Sequence, residues 1–170
     1  ADHLFNPRWM PVAPNGDAFL SEPDAGKISL LSDAKGTARA TVTTFATGFP
    51  TPHGLAFHDG ALYVGDQFAV WKVAYTDGAL KAGARTRITK QHDLGIGGHF
   101  TRDIAFGPDG SLYLGIGSTG NVDTTEPIFR AAVNKVEADG QLTQFATGTR
   151  NPVGLTFYPG TNNLWITVNE

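Results

Sequence analysis

An all-β chain built from repeated, short-stranded sheets follows from three properties of the 170-residue sequence. The first is a repeat. Residues 43–57 return at 143–157, 100 residues downstream, with most apolar, Gly and Pro positions kept, and a looser copy at 103–110 lies between them. Phe57, Phe106 and Phe157 thereby fall about 50 residues apart. The second is composition: 21 Gly and 10 Pro with only 17% charged residues suit a chain rich in turns rather than helices. The third is that each unit reads as a β run, a Gly turn and a second β run. A period near 50 with several short strands per unit is the signature of a β-propeller blade.

The elements follow in order. A first unit has a run at 10–13, the Pro14-Asn15-Gly16 turn and a run at 18–20. In the second, Leu55-Ala56-Phe57 passes through His58-Asp59-Gly60 into Ala61-Leu62-Tyr63-Val64. In the third, Ile104-Ala105-Phe106 passes through Gly107-Pro108-Asp109-Gly110 into Leu112-Tyr113-Leu114, with Pro presetting φ and Gly accepting positive φ. Third strands are expected at 27–31, 69–73 and 132–136, and outer fourth strands include 40–45 and 141–145. A fourth unit begins at 154–157 and reaches 164–168. The expectation is one partial propeller domain over 1–170, about three and a half four-stranded blades. Such an incomplete ring would be completed by the remaining half of a longer chain or by a second copy, because open sheet edges invite pairing. No helix or linker is expected to interrupt the pattern.

Composition also sets limits. A net charge of −3 leaves no basic footprint for nucleic acid, and no apolar run is long enough to span a membrane. Without Cys there is no disulfide framework. The polar start suits a mature secreted chain and a cytosolic one equally; a periplasmic or secreted protein whose leader has been removed is the expectation carried forward.

In a propeller, the link between blades ends near the central axis, so residues just before successive inner strands converge at one end of the channel. Counting back seven positions from each repeat Phe gives Pro50, His99 and Arg150; Asn151 adjoins Arg150, and His53 lies four residues before Phe57. Imidazole can take a proton from a hydroxyl, and guanidinium can bind carboxylates or polarise a carbonyl. A lone loop His is usually a surface residue, and Arg-Asn-Pro can simply be a turn. The equivalent placement in consecutive blades is what raises His99 and Arg150 above that reading. His3, His58 and His92 lack it and read as loop or turn residues, as do Asp59 and Asp109 at their turns. Gly95-Ile96-Gly97-Gly98 lacks the Lys-Ser/Thr ending of a phosphate loop, and Gly115-Ile116-Gly117-Ser118 reads as a site of close backbone approach. No Asp/Glu/His cluster has metal spacing, and no Gly-x-Ser-x-Gly elbow supports Ser-His-Asp hydrolysis.

At 98–113 and 150–157, and also at 21–28 and 52–57, the sequence resembles the soluble quinoprotein sugar dehydrogenases, particularly their aldose/sorbosone branch. The resemblance implies a six-bladed propeller with pyrroloquinoline quinone lying over one end of the channel. It implies that His99 is the general base taking the substrate hydroxyl proton while hydride passes to the quinone. It further implies that Arg150 stabilises charge on the quinone oxygens and that Asn151 and His53 contact the cofactor. A sugar substrate, an external electron acceptor and calcium in the complete protein are implied as well, the calcium-binding segment matching nothing within 1–170. Gly98 stands where the glucose dehydrogenase branch has an acidic residue, which argues against glucose. The alternative is a non-catalytic or lactonase-like propeller in which His99 and Arg150 only line a loop surface.

Overall fold

The short apolar runs and Gly turns form antiparallel sheets in a computed structural model that describes residues 2–32, 40–90 and 94–169. The first sheet holds β1 (Ala18–Glu22), β2 (Lys27–Ser32) and β3 (Thr41–Thr47), in that order. The second holds β4 (Leu55–His58), β5 (Ala61–Gly65), β6 (Val70–Ala74) and β7 (Arg85–Arg87). The third holds β8 (Arg102–Phe106), β9 (Leu112–Ile116), β10 (Ala132–Val136) and β11 (Leu142–Thr147). The fourth pairs β12 (Pro152–Phe157) with β13 (Leu164–Val168). Each sheet is a meander of neighbouring strands, the arrangement of a propeller blade.

Three details depart from the sequence expectation. The segment at 10–13 lies along β1 through Ser21 N to Trp9 O (3.1 Å), Phe19 N to Pro11 O (2.9 Å) and a Val12–Ala18 bridge, but forms no continuous strand. Pro11 has no N–H to donate, so the ladder is broken there. The second blade's outer strand, β7, carries Arg-Thr-Arg and has no apolar run by which to find it. A single turn of 3₁₀ helix at Pro23–Ala25, closed by Gly26 at φ 59°, links β1 to β2.

The repeat Phe residues do one job three times. Phe57 at the end of β4 packs edge-on against Phe19 of the preceding blade, ring centroids 5.1 Å apart. Phe106 of β8 meets Tyr63 at 4.7 Å, and Phe157 of β12 meets Tyr113 at 5.3 Å. In each case an inner strand sets its aromatic ring on the second strand of the blade before it. Outer-strand residues close two of these groups: Phe45 lies 4.7 Å from Phe19, and Phe145 lies 4.9 Å from Tyr113. Such pairs contribute beyond their area through the edge-to-face quadrupole geometry.

Backbones meet just as closely at the inner strands. Gly54 N donates to Arg102 O at 3.0 Å, and a Cβ on Gly54 would lie 2.5 Å from that same oxygen. Only glycine fits. Leu155 N donates to the Asp103 carboxylate at 2.6 Å across the next seam.

Phe19 is fully buried at the centre of the first seam. Phe19→Ala is expected to lower stability by roughly 3–5 kcal/mol, as for other large-to-small aromatic core changes. Urea unfolding of the two proteins checks it; a loss below about 1 kcal/mol would mean that the seam collapses onto the cavity.

Candidate functional site

The loops that enter β4, β8 and β12 bring His53, His99, Thr101 and Asn151 to one cleft of about 690 Å³, together with Arg8, Trp9 and Phe100. His99 is half-buried. Its Nδ1 lies 2.9 Å from Ser118 Oγ and 3.3 Å from Ser118 O. Ser118 Oγ gives its own proton to Gly120 O at 2.7 Å, so both neighbours of Nδ1 are acceptors. Nδ1 therefore carries the hydrogen, and in the neutral ring Nε2 keeps its lone pair.

Asn151 is buried, and Thr101 Oγ1 donates to its Oδ1. That bond fixes the amide and leaves Nδ2, which has no protein acceptor among the described residues, as a donor. Gly117 makes room for the group. A Cβ there would lie 2.5 Å from His99 Cβ and 2.6 Å from Asn151 Oδ1, which is the close approach expected at this Gly-rich strand end.

Two buried arginines hold the loop that carries His99. Arg102 donates to Gly95 O (2.6 Å), Leu94 O (3.2 Å), Thr101 O (2.7 Å) and His99 O (3.2 Å). Arg130 donates to Gly117 O (2.8 Å), Gly97 O (2.8 Å), Ser118 O (2.7 Å), Ile96 O (3.2 Å) and His99 O (3.2 Å). The Gly-rich run at 95–98 thus turns carbonyls inward onto guanidiniums, the opposite of a phosphate loop, which gathers N–H groups. Gly98, at φ 61°, has Thr119 O within 2.2 Å of where a Cβ would sit. An acidic side chain has no space at that position.

Arg150 does not line the cleft. Its guanidinium donates to Asn121 Oδ1 (2.6 Å), Asn121 O (3.2 Å) and Asn169 O (2.6 Å), on a neighbouring hollow of about 410 Å³. The link to the cleft is its main chain, since Arg150 O accepts from Ser118 N at 2.8 Å. His58 stacks on Phe106 at 4.0 Å, and His92 lies outside the described residues. Arg8, Trp9, Ser118, Arg102 and Arg130 were not singled out from sequence. Of these, only Arg102 and Ser118 lie within the Gly-rich stretches at 98–113 and 115–118.

Burial pushes the His53 imidazole down from 6.5 to about 4, with the Arg8 and Arg102 cations adding to the effect. Its Nδ1 is buried with no hydrogen-bond partner. Burial pushes the Asp103 carboxyl up from 3.8 to about 7, against hydrogen bonds from Leu155 and Ile104 that favour its charged form. Among the described residues no group of three or more His, Asp or Glu converges, and no helix is long and apolar enough to cross a membrane.

The chain belongs to the family described as a domain of unknown function, DUF7133, whose model matches residues 8–169. No curated protein matches it. Among solved structures it is similar to a Trichoderma reesei carbohydrate-active enzyme of family AA12, with 19% identity over 98% of this chain and 46% of that one, at a TM-score of 0.82. It is similar to a PQQ-bound aldose sugar dehydrogenase from Streptomyces coelicolor, with 21% identity over 98% of this chain and 57% of that one, at 0.72. Virginiamycin B lyase from Staphylococcus aureus matches at 18% identity over 94% of this chain and 47% of that one, at 0.61. The chain spans about half the length of these proteins. At such identities the likeness shows the β-propeller fold, and a fold that serves both a dehydrogenase and a lyase leaves function to the site.

The two shifted groups predict opposing pH dependences. His53 has a depressed folded pKa, so the unfolded chain binds its proton first; that stability is present above pH 6.5 and lost as pH falls towards 4. Asp103 has a raised folded pKa, so its contribution is complete below pH 3.8 and lost as pH rises to about 7. Asp103→Asn keeps an acceptor for Leu155 N and removes only the second slope. The variant should lose stability more steeply than wild type between pH 6.5 and 4, by roughly 3 kcal/mol in the His53 contribution. Urea midpoints across that window check it; parallel curves would mean that Asp103 does not titrate as described.

Proposed function

We propose that this cleft is the proton-accepting and cofactor-facing side of a quinoprotein sugar dehydrogenase acting on an aldose or related sugar aldehyde, within a longer chain that reoxidises through an external electron acceptor. The observation that carries the reading is the His99 tautomer, with Nδ1–H held by Ser118 and Nε2 left as a base beside the open cleft. A general base needs that fixed orientation more than it needs burial.

The lining suits a flat, oxygen-rich group. Its volume falls within the range of small-molecule sites, Phe100 and His53 supply ring surface, and Arg8 and Asn151 Nδ2 supply donors. No carboxylate lines it to repel an anion. The chemistry supplied by a bound pyrroloquinoline quinone would be acceptance of a hydride from the sugar carbon. His99 Nε2 takes the hydroxyl proton from that carbon's oxygen, and Ser118 steadies the imidazolium by holding Nδ1–H. Asn151, oriented by Thr101, donates towards cofactor oxygens. Buried His53 stays neutral at physiological pH and contributes its ring to the cleft wall. Arg150 sits one residue behind the cleft wall, against Asn169, and its role on the quinone oxygens requires its guanidinium to leave Asn121. Calcium is expected in the complete protein, with no ligand assigned among the described residues.

His99→Asn should keep the fold and quinone affinity but lower aldose-dependent dye reduction by roughly 10²–10⁴-fold, the usual contribution of a positioned base. Arg150→Lys keeps a charge without the planar fork and should weaken both quinone binding and turnover. Quinone titration and dye reduction in the full-length protein with calcium present measure both. Near wild-type turnover in His99→Asn would remove the base from the mechanism, and failure of wild type to bind quinone would favour a non-redox propeller.

A further inference from the structure

We infer that Ser21 and Glu22 are positioning residues that hold the N-terminal arm, residues 5–9, as a wall of the cleft, so that docking of the arm sets how tightly the cleft binds. Only the ligand used in the test below rests on the functional reading above.

The arm brings Arg8 and Trp9 to the cleft but has little of its own to keep it there. Pro7 and Pro11 have no N–H to give to a ladder, and the arm and its continuation form no continuous strand. Apolar burial does not fix the segment either, since Phe5, Met10 and Val12 are 55%, 56% and 59% exposed. Trp9 is the exception. It is half-buried, and its Cη2 lies 3.7 Å from where a Cβ on Gly154 would sit, so the indole spans from the first blade to β12.

Two consecutive, fully buried polar residues supply the anchors. Ser21 Oγ accepts from Trp9 N at 3.0 Å and donates to His53 O at 2.7 Å, so one hydroxyl ties the arm to the loop that enters β4. The Ser21 main chain adds Arg8 N to Ser21 O (3.0 Å) and Ser21 N to Trp9 O (3.1 Å). A buried carboxylate is costly unless its oxygens are paired. Glu22 Oε1 accepts from Ser29 Oγ and lies 3.3 Å from Lys27 Nζ, while Oε2 accepts from Phe5 N at 2.6 Å. One oxygen serves β2 and the other serves the arm. The repeat isolates the part played by Ser21. It stands two residues after Phe19, and the positions two after Tyr63 and Tyr113 are Gly65 and Gly115. At those two seams the next inner strand comes up directly: a Cβ on Gly65 would lie 2.4 Å from Arg102 O, and one on Gly115 would lie 3.3 Å from Pro152. Serine replaces glycine at the seam where the arm is held.

The test compares wild type with Ser21→Gly and with the double variant Ser21→Gly/Glu22→Gln in the full-length protein. Ser21→Gly should fold, because the next two blades carry glycine at that place. Amide exchange at Trp9 reads docking of the arm, the ring signals of His53 and Phe100 in the ligand-free protein read the cleft wall, and calorimetry with pyroloquinoline quinone and calcium reads affinity. Trp9 exchange should quicken by roughly threefold to tenfold in Ser21→Gly, the scale of one lost hydrogen bond, with the amides of β9 unchanged. The double variant should go further, shift both ring signals and weaken quinone binding about tenfold, since apparent affinity falls with the docked fraction. Turnover at saturating quinone and sugar should stay as in wild type, because neither substitution touches His99. Coupling is reciprocal, so saturating quinone should restore slow exchange at Trp9 in the double variant, which a residue serving stability alone would not do.

Unchanged Trp9 exchange in both variants would overturn the anchoring. Faster exchange with wild-type quinone affinity and unmoved ring signals would overturn the arm as a wall of the site while leaving the quinone reading intact. Failure of wild type to bind quinone overturns that reading alone, and the ring signals then decide: a shift in the variants supports the arm as cleft wall, and no shift overturns it. If the double variant does not fold, Ser21→Gly must by itself show the faster exchange and the ring shifts, and their absence overturns the inference.

Discussion

Contact between the Phe that ends each inner strand and the aromatic ring on the second strand of the preceding blade is the interaction on which the rest depends. Phe57 on Phe19, Phe106 on Tyr63 and Phe157 on Tyr113 repeat it at ring separations of 4.7–5.3 Å. Each contact sets one blade against the next at a fixed spacing, and the backbone exploits it. Gly54 touches Arg102 O, and Asp103 receives Leu155 N. Once the inner strands are locked in this way, the loops that lead into them share one end of the sheets. His53, His99 and Asn151 meet there from three different blades. Catalytic candidates that lie almost 100 residues apart in sequence are neighbours because an aromatic packing rule is obeyed three times.

The loop at 94–99 would be a poor platform on its own, being rich in glycine and half exposed. Arg102 and Arg130 make it rigid by donating to its carbonyls from inside. Gly98 and Gly117 let the chain pass where any side chain would collide. Precision at His99 therefore comes from buried cations and from missing side chains, while Ser118 sets only the last step, the tautomer. A site held by hydrogen bonds to main chain tolerates little backbone drift, which suits a base that must meet a proton within hydrogen-bond reach.

Much of this was legible in the sequence because propeller repeats write their packing rule as spacing. The Phe period marked the inner strands, and the positions before them gave His53, His99 and Asn151, which the structure gathers around one cleft. What escaped notice depends on contacts that cross the repeat. Arg8 and Trp9 reach the cleft from a segment broken by Pro11, which no strand pattern announces. Arg130 follows a long polar loop, and its partners come from 96–99 and 117–118. The β7 strand is a polar Arg-Thr-Arg that pairs with β6 and sets Arg85 and Arg87 over the Trp71 ring. Arg150 shows the limit of counting positions. It stands seven residues before its repeat Phe, as His99 does, but its long side chain runs to Asn121 and Asn169 rather than into the cleft.

The proposed chemistry rests on one proton position. Nitrogen-15 NMR of the His99 ring near neutral pH reads it directly. The geometry requires a hydrogen on a pyrrole-like Nδ1, and the account predicts that Nε2 of the neutral ring is pyridine-like and bears none. Replacing Ser118 by Ala should blur that distinction, because one of the two acceptors at Nδ1 is lost. A hydrogen found on Nε2 in the wild-type protein would leave the cleft without a base, and His99 would be a structural residue of its loop.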